Sequence, residues 1–214
     1  MSNSKIKTIK IFIFDWSGVI SDDRYPVYLS NMKMLKKRNI RTLNFKEWLK
    51  ASKMNAVELL YSQGATGDPN EIYKEYIKEL NLIIQSGISP KIYLGARKML
   101  KNLKSKGYFL TLVSHHPKIN LEKEIKSYGL EDYFSVVIGN LKNKPESILE
   151  ICKKTKISLQ KALYVGDTIY DIKAAKMAGV KCAAVTWGYH DKLRLILEKP
   201  DFLFDKFSDL TDLL

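Results

Sequence analysis

Along most of the chain, short apolar runs rich in β-branched and aromatic residues alternate with amphipathic stretches of helical period. Strands are expected over residues 9–14, 108–113, 135–139, 162–165 and 181–186, each short and bounded by polar residues or glycine. Helices are expected over 96–106, 119–128, 145–154 and 170–178. Gly129 and Gly179 stand just past two of them, where a left-handed residue closes a helix. Most strand-plus-helix steps take about 25–30 residues, enough for a right-handed crossover between parallel strands. The pattern predicts an α/β fold: a three-layer Rossmann-like core built on a parallel sheet.

One interval breaks the alternation. Between Arg24 and Ser89 only helical periodicity is present, over 27–38, 45–52, 56–63 and 71–85, with a break at Gly64, Gly67 and Asp68-Pro69. The expected organisation is a core of residues 1–22 and 90–214, interrupted by an all-helical insert at 23–89. The first half of the insert is basic: Lys33, Lys36, Lys37, Arg38, Arg41, Lys46, Lys50 and Lys53 face only Glu47. That run is read as a solvated helix face or a lure for an anionic substrate, and nucleic acid is not an expected partner.

Composition narrows the class. A chain of 214 residues with 45% hydrophobic and 28% charged residues can bury a core, and 11 Gly with 6 Pro is too few for low complexity. The net charge of +13 favours anionic partners. No apolar run approaches the roughly 18 residues of a membrane span. Residues 1–10 combine Lys5, Lys7 and Lys10 with isolated isoleucines and lack the apolar stretch of a secretory leader. With only Cys152 and Cys182, neither at metal-ligand spacing, a disulfide framework is excluded and a cytoplasmic location is expected.

Open α/β sheets bind ligands outside the carboxyl ends of their strands, so the residues that follow each strand carry the functional signal. Here they are polar. Asp15-Trp16-Ser17-Gly18-Val19 follows the first strand and Ser114-His115-His116 the second. Gly166-Asp167-Thr168, with Asp171 beyond it, follows the fourth, and Asn143-Lys144-Pro145 opens a helix on the same edge. Alone, each Asp reads as a turn former or helix cap. Together, carboxylates on adjacent strand ends suit Mg²⁺, Ser114 and Lys144 suit a phosphate, and an Asp carboxylate can attack phosphorus to give an aspartyl-phosphate.

The order Asp15-x-Ser17-Gly18, Ser114, Lys144, Gly166-Asp167-x-x-x-Asp171 resembles the haloacid dehalogenase superfamily over almost the whole chain. The insert lies where that family carries a helical cap, and Val185-Thr186-Trp187-Gly188-Tyr189 with Pro200-Asp201 is similar to its phosphoglycolate phosphatase-like branch. The resemblance implies a Mg²⁺-dependent hydrolase of a small phosphorylated substrate. Asp15 would be nucleophile and metal ligand, and Ser114 and Lys144 would bind phosphate. Asp167 would ligate the metal together with the Ser17 carbonyl, and Asp171 would be a ligand or orient Lys144. His115 and Lys53 are further candidates for touching substrate.

One position departs from the pattern. Phosphatases of this superfamily carry a second Asp two residues after the nucleophile, where it protonates the leaving oxygen and activates water, and here that residue is Ser17. A hydroxyl does not ionise near neutrality, so acid–base assistance worth roughly 10²–10⁴-fold is missing from that side chain. Three readings stay open: a slow or specialised phosphatase, a C–P bond hydrolase, or a binding or regulatory protein with an impaired site. The second rests on a likeness of Asp15-Trp16-Ser17-Gly18 to phosphonoacetaldehyde hydrolase, with Lys53 or Lys50 as the cap lysine. Trp16 is expected to pack rather than stack on a base, His190 to lie on the surface, and both cysteines to be core residues.

Overall fold

The structure is a computed structural model that describes residues 8–141 and 143–212. Lys5, Ile6 and Lys7, on which much of the leaderless reading of the N-terminus depends, lie outside the described residues. The chain forms two compact units, one of Met1–Ser21 with Ile92–Leu214, the other of Asp22–Lys91. It leaves the first at β2 (Ser21–Asp22) and returns at β3 (Lys91–Ile92).

The first unit is built on a six-stranded sheet. Its strands are β1 (Ile11–Phe14), β4 (Phe109–Val113), β5 (Val136–Ile138), β6 (Ala162–Gly166), β7 (Lys181–Val185) and β8 (Phe202–Phe204). They run in the order β5-β4-β1-β6-β7-β8, every pair parallel. Strands buried on both faces need apolar residues at every position, and β1 reads Ile-Phe-Ile-Phe with all four buried. Phe12 and Phe14 pack with Met99, Leu100 and Leu103 of α5 (Ala96–Ser105) and with Leu121 and Ile125 of α6 (Lys118–Ser127). Ile11 and Ile13 pack on the other face, with Ile148 and Ile151 of α7 (Lys144–Thr155) and with Ile172 and Ala175 of α8 (Ile169–Met177). Each such side chain contributes about 1.5–3 kcal/mol when removed from water. These are the three layers that the periodicity predicts.

The register sets the position of the site. Phe14 lies opposite Leu112 of β4 and Val165 of β6, so the residues after these three central strands emerge at neighbouring heights. Successive strands run outward from β1 through β4 to β5, then resume on its other side at β6. The crevice at that reversal is where an α/β sheet takes its ligand.

The second unit is all-helical: α1 (Arg24–Lys37), α2 (Phe45–Ala51), α3 (Ala56–Ser62) and α4 (Pro69–Gln85). Met34, Leu35, Trp48, Leu59, Leu60, Ile72 and Ile83 are buried in it. The Glu79 carboxylate is buried too, held by the Lys37 ammonium at 2.6 Å.

Several boundaries differ from expectation. The α4 helix starts at Pro69, because Asp68 accepts the Asn70 and Glu71 N–H groups and proline suits the first helical position. The short elements α9 (Lys192–Leu197), β8 and α10 (Phe207–Asp212) are additional to those expected. Among the described residues no helix is long and apolar enough to cross a membrane.

Candidate active site

Asp15 follows β1 directly and its backbone N–H continues the ladder to the Val165 carbonyl at 2.9 Å. Its Oδ1 accepts the Trp16 N–H at 2.8 Å, and its Oδ2 faces the Lys144 ammonium at 3.0 Å. Lys144 is the first residue of α7, capped by the Asn143 side chain, and its ammonium also reaches Asp171 Oδ1 at 2.7 Å. Asp171 belongs to a capping box with Thr168 at the start of α8. The helix-start chemistry that shapes this terminus therefore also fixes a carboxylate in the site. Its Oδ1 accepts the Tyr164 hydroxyl at 3.1 Å, while its Oδ2 accepts the Thr168 hydroxyl and the backbone N–H groups of Thr168 and Asp167.

Asp167 follows β6. Its Oδ2 accepts the Tyr189 N–H at 2.7 Å, whereas its buried Oδ1 has no hydrogen-bond partner among the described residues. Oxygens of Asp15, Asp167 and Asp171 lie within 4.8 Å of one another, and all three residues are buried. Two glycines make this close packing possible. A Cβ on Gly18 (φ +74°) would sit 2.1 Å from Asp167 Oδ2, and one on Gly188 would sit 2.2 Å from the same oxygen.

Three carboxylates facing one ammonium leave negative charge uncompensated. Burial pushes the Asp15 carboxyl up to about 6, against the pull of Lys144. Burial and the neighbouring Asp171 and Asp15 charges hold Asp167 well above the usual carboxylate range. Asp171 is also buried, but Lys144 and the Thr168 hydrogen bonds bring it below that range. The lone Asp167 Oδ1 and the charge excess fit a hard divalent cation, which oxygen ligands prefer.

The remaining candidates are placed as follows. Ser114 is buried at the end of β4, where its Oγ accepts the His116 N–H at 3.1 Å. Ser17 is half-buried in the turn after Asp15. The His115 imidazole is exposed on one side, and its protein surroundings and the Lys144 charge push it down to about 4, so it is neutral at pH 7. Lys53 is exposed in the other unit, between α2 and α3. Trp16 is fully buried in the core unit, stacked on Tyr128. Cys152 and Cys182 are buried and unbridged.

The expectation of a surface His190 is corrected. It is 1% exposed, its Nδ1 accepts the Ile169 N–H at 3.0 Å, and its backbone N–H reaches the Asp167 carbonyl at 3.3 Å. The segment after β7 folds back under the Asp167 loop, and a lone His in a polar stretch gives no sequence signal of that.

The model of a family described as haloacid dehalogenase-like hydrolase matches residues 12–185. The chain belongs to this family. Within it the likeness is to the phosphoglycolate phosphatase-like branch. A phosphoglycolate phosphatase of Pasteurella multocida (strain Pm70) is 30% identical over 128 residues, 58% of this chain and 57% of the relative. One of Aquifex aeolicus (strain VF5) is 27% identical over 214 residues, covering 96% and 97% of the two chains. With the Pasteurella relative the match thus spans little more than half of that protein's length. A haloacid dehalogenase-like family hydrolase from Streptococcus pneumoniae shares the fold, with a TM-score of 0.85 at 16% identity over 96% of this chain and 98% of that one. So does a predicted phosphoglycolate phosphatase from Haemophilus somnus 129pt, with a TM-score of 0.80 at 23% identity over 96% and 97%.

Proposed function

We propose that this haloacid dehalogenase-like chain is a Mg²⁺-dependent hydrolase of small phosphomonoesters, acting through an aspartyl-phosphate on Asp15. The observation that carries the reading is the Lys144 ammonium bridging Asp15 and Asp171 beside the half-unpaired Asp167. The relatives named for phosphoglycolate favour a small phosphorylated carboxylic acid as substrate.

In this scheme an Asp15 oxygen attacks phosphorus and the P–O ester bond breaks, the departing alkoxide taking its proton from solvent water. Water then attacks the phosphorus of the acyl phosphate, giving inorganic phosphate and restoring Asp15. Lys144 and the Trp16 N–H hold the two Asp15 oxygens in fixed directions, so the nucleophile needs no reorientation. Ser114 and Lys144 bind the phosphoryl oxygens, with His115 at the edge of the site. Asp15, Asp167 and the Ser17 carbonyl would hold Mg²⁺, which supplies neutralisation of the phosphate charge. Asp171 accepts from the Tyr164 and Thr168 hydroxyls and from two backbone N–H groups besides Lys144, a fuller shell than that of Asp15, so its role is to orient Lys144.

Ser17 cannot carry the proton that the leaving alcohol takes up, so turnover is slow or confined to good leaving groups. Residues 23–89 act as the cap that selects the substrate, with Lys53 included on the strength of its charge, and the protein works in the cytoplasm. The test is a screen of small phosphomonoesters, 2-phosphoglycolate among them, with and without Mg²⁺, beside Asp15→Asn. Mg²⁺-dependent phosphate release that Asp15→Asn abolishes is expected. Release by Asp15→Asn at most of the original rate would overturn the assignment, and no release from any ester would favour a binding or regulatory role.

A further inference from the structure

We propose that Glu124 is a positioning residue: its carboxylate braces the loop that carries Asp15 against the loop that carries Ser114. The functional half of this inference rests on the phosphomonoester reading above, while the structural half stands without it.

Glu124 lies within α6 rather than in a segment that follows a strand, and its side chain is 15% exposed. Three groups converge on it. Oε2 accepts the Trp16 indole N–H at 2.7 Å and the Ser21 hydroxyl at 3.1 Å, and Oε1 lies 3.1 Å from His116 Nε2. Burial pushes this carboxyl up, but the His116 interaction and the Trp16 and Ser21 hydrogen bonds outweigh it and hold the group below its ordinary value.

Trp16 and Ser21 are the two ends of one turn. The Trp16 carbonyl accepts the N–H groups of Val19, Ile20 and Ser21, and the Gly18 N–H donates to the Ser21 carbonyl at 2.8 Å. Glu124 therefore closes from outside a loop whose interior holds Ser17 and Gly18. The Tyr128 ring stacks on Trp16 at 5.6 Å and its hydroxyl meets Ser21 Oγ at 3.0 Å, so the turn is held on a second side by the same helix region.

The link to the reacting atoms is short at both ends. The Trp16 N–H donates to Asp15 Oδ1, so a shift of Trp16 shifts the nucleophile. The His116 N–H donates to Ser114 Oγ, and the His116 carbonyl accepts the Asn140 N–H at 2.8 Å. One carboxylate thus fixes the relative position of the nucleophile and of a phosphate-binding hydroxyl. It touches neither, which is why this is positioning and not catalysis. A misplacement near 1 Å at a reacting group is enough to cost about 10²-fold in rate.

The test compares full-length wild type with Glu124→Gln, Glu124→Leu and Trp16→Phe. Gln keeps the shape and an acceptor oxygen, Leu removes the acceptors, and Phe removes only the indole N–H. Amide hydrogen exchange is expected to quicken in residues 16–21 and 114–116 of Glu124→Leu while the β6 and β7 amides stay protected. On the best phosphomonoester, kcat should fall about 10–100-fold with KM within about threefold. Glu124→Gln should recover most of that loss, and Trp16→Phe should reproduce part of it without adding to it in the double variant. Unchanged exchange in both segments overturns the brace, as does a uniform rise across the core with kcat and KM changing together. If Glu124→Leu does not fold, exchange in Trp16→Phe decides: local loosening at 16–21 supports the brace, and wild-type protection refutes it. If wild type hydrolyses no ester, the phosphatase reading fails and exchange alone judges the brace.

Discussion

Replacing Gly18 by Ala and comparing it with Gly107→Ala separates backbone strain from the crowding of the carboxylate cluster. Both glycines have positive φ, +74° and +81°, so both alanines bear the left-handed penalty of roughly 1–2 kcal/mol. Around Gly107 nothing lies within 4 Å of the added carbon, and the loss should stop there. At Gly18 the carbon would fall 2.1 Å from Asp167 Oδ2 and 2.9 Å from the Tyr189 ring, so Asp167 must swing away. That movement breaks the hydrogen bond from the Tyr189 N–H, and leaving such a donor without its acceptor costs roughly 1–3 kcal/mol. The expected losses are about 1–2 kcal/mol for Gly107→Ala and about 2–5 kcal/mol for Gly18→Ala. Urea unfolding with matched m-values measures both, and calorimetry should show weaker Mg²⁺ binding in Gly18→Ala alone. Equal losses from the two variants, or an unaltered Mg²⁺ affinity in Gly18→Ala, would refute the reasoning.

Asp167→Ala should weaken Mg²⁺ binding in calorimetry while the fold persists, and an unchanged affinity would remove Asp167 from the ligand set. Ser17→Asp should accelerate hydrolysis of alkyl phosphates, by up to roughly 10²–10⁴-fold, more than that of aryl phosphates, whose leaving groups need no proton. A phosphonatase-type reaction would show no such gain and would instead stop with Lys53→Ala or Lys50→Ala, as an assay on phosphonoacetaldehyde would reveal. His115 titrates near 4 in the folded chain and 6.5 in the unfolded one, so the unfolded state binds the extra proton and stability falls as pH drops from 6.5 to 4. His115→Gln should lose less stability than wild type across that window, as urea midpoints at pH 4.5 and 7 would show, and parallel losses would contradict it.

The central strands and the carboxylates behind them were legible because one physical rule governs both. A strand buried on two faces is nearly all apolar, so a polar residue marks its end, as Asp15 and Asp167 do, while in β4 Thr111 is tolerated before Ser114 because its hydroxyl donates to the Phe12 carbonyl. β8 escaped because Phe202–Phe204 is three residues long between Asp201 and Asp205, and such a run is indistinguishable from a loop until Val185 supplies a partner. α9 had a readable start in Asp191, which caps it by accepting the Arg194 N–H. Asp68-Pro69 looks like an interruption in the sequence but is an N-cap followed by the proline that opens α4. Glu124 and His190 left no trace in the pattern. One faces the Asp15 loop from a helix more than a hundred positions away, the other props Asp167 from beyond β7, and only tertiary contact shows either.

β1 sits in the middle of the sheet but comes first in the chain, with Ile11 paired to Phe109 across about 100 intervening residues and to Ala162 still later. At about 5–20 residues per second on the ribosome, the Ile-Phe-Ile-Phe run therefore waits roughly 5–20 s for its first neighbour. An uncharged stretch of that composition is a template for pairing with another chain. Lys10 before it and Asp15 after it are charged flanks of the kind that restrain such pairing. The carboxylate at the centre of the site thus also guards the nascent strand, and variants that neutralise Asp15 should yield less soluble protein during synthesis even where the finished fold is sound.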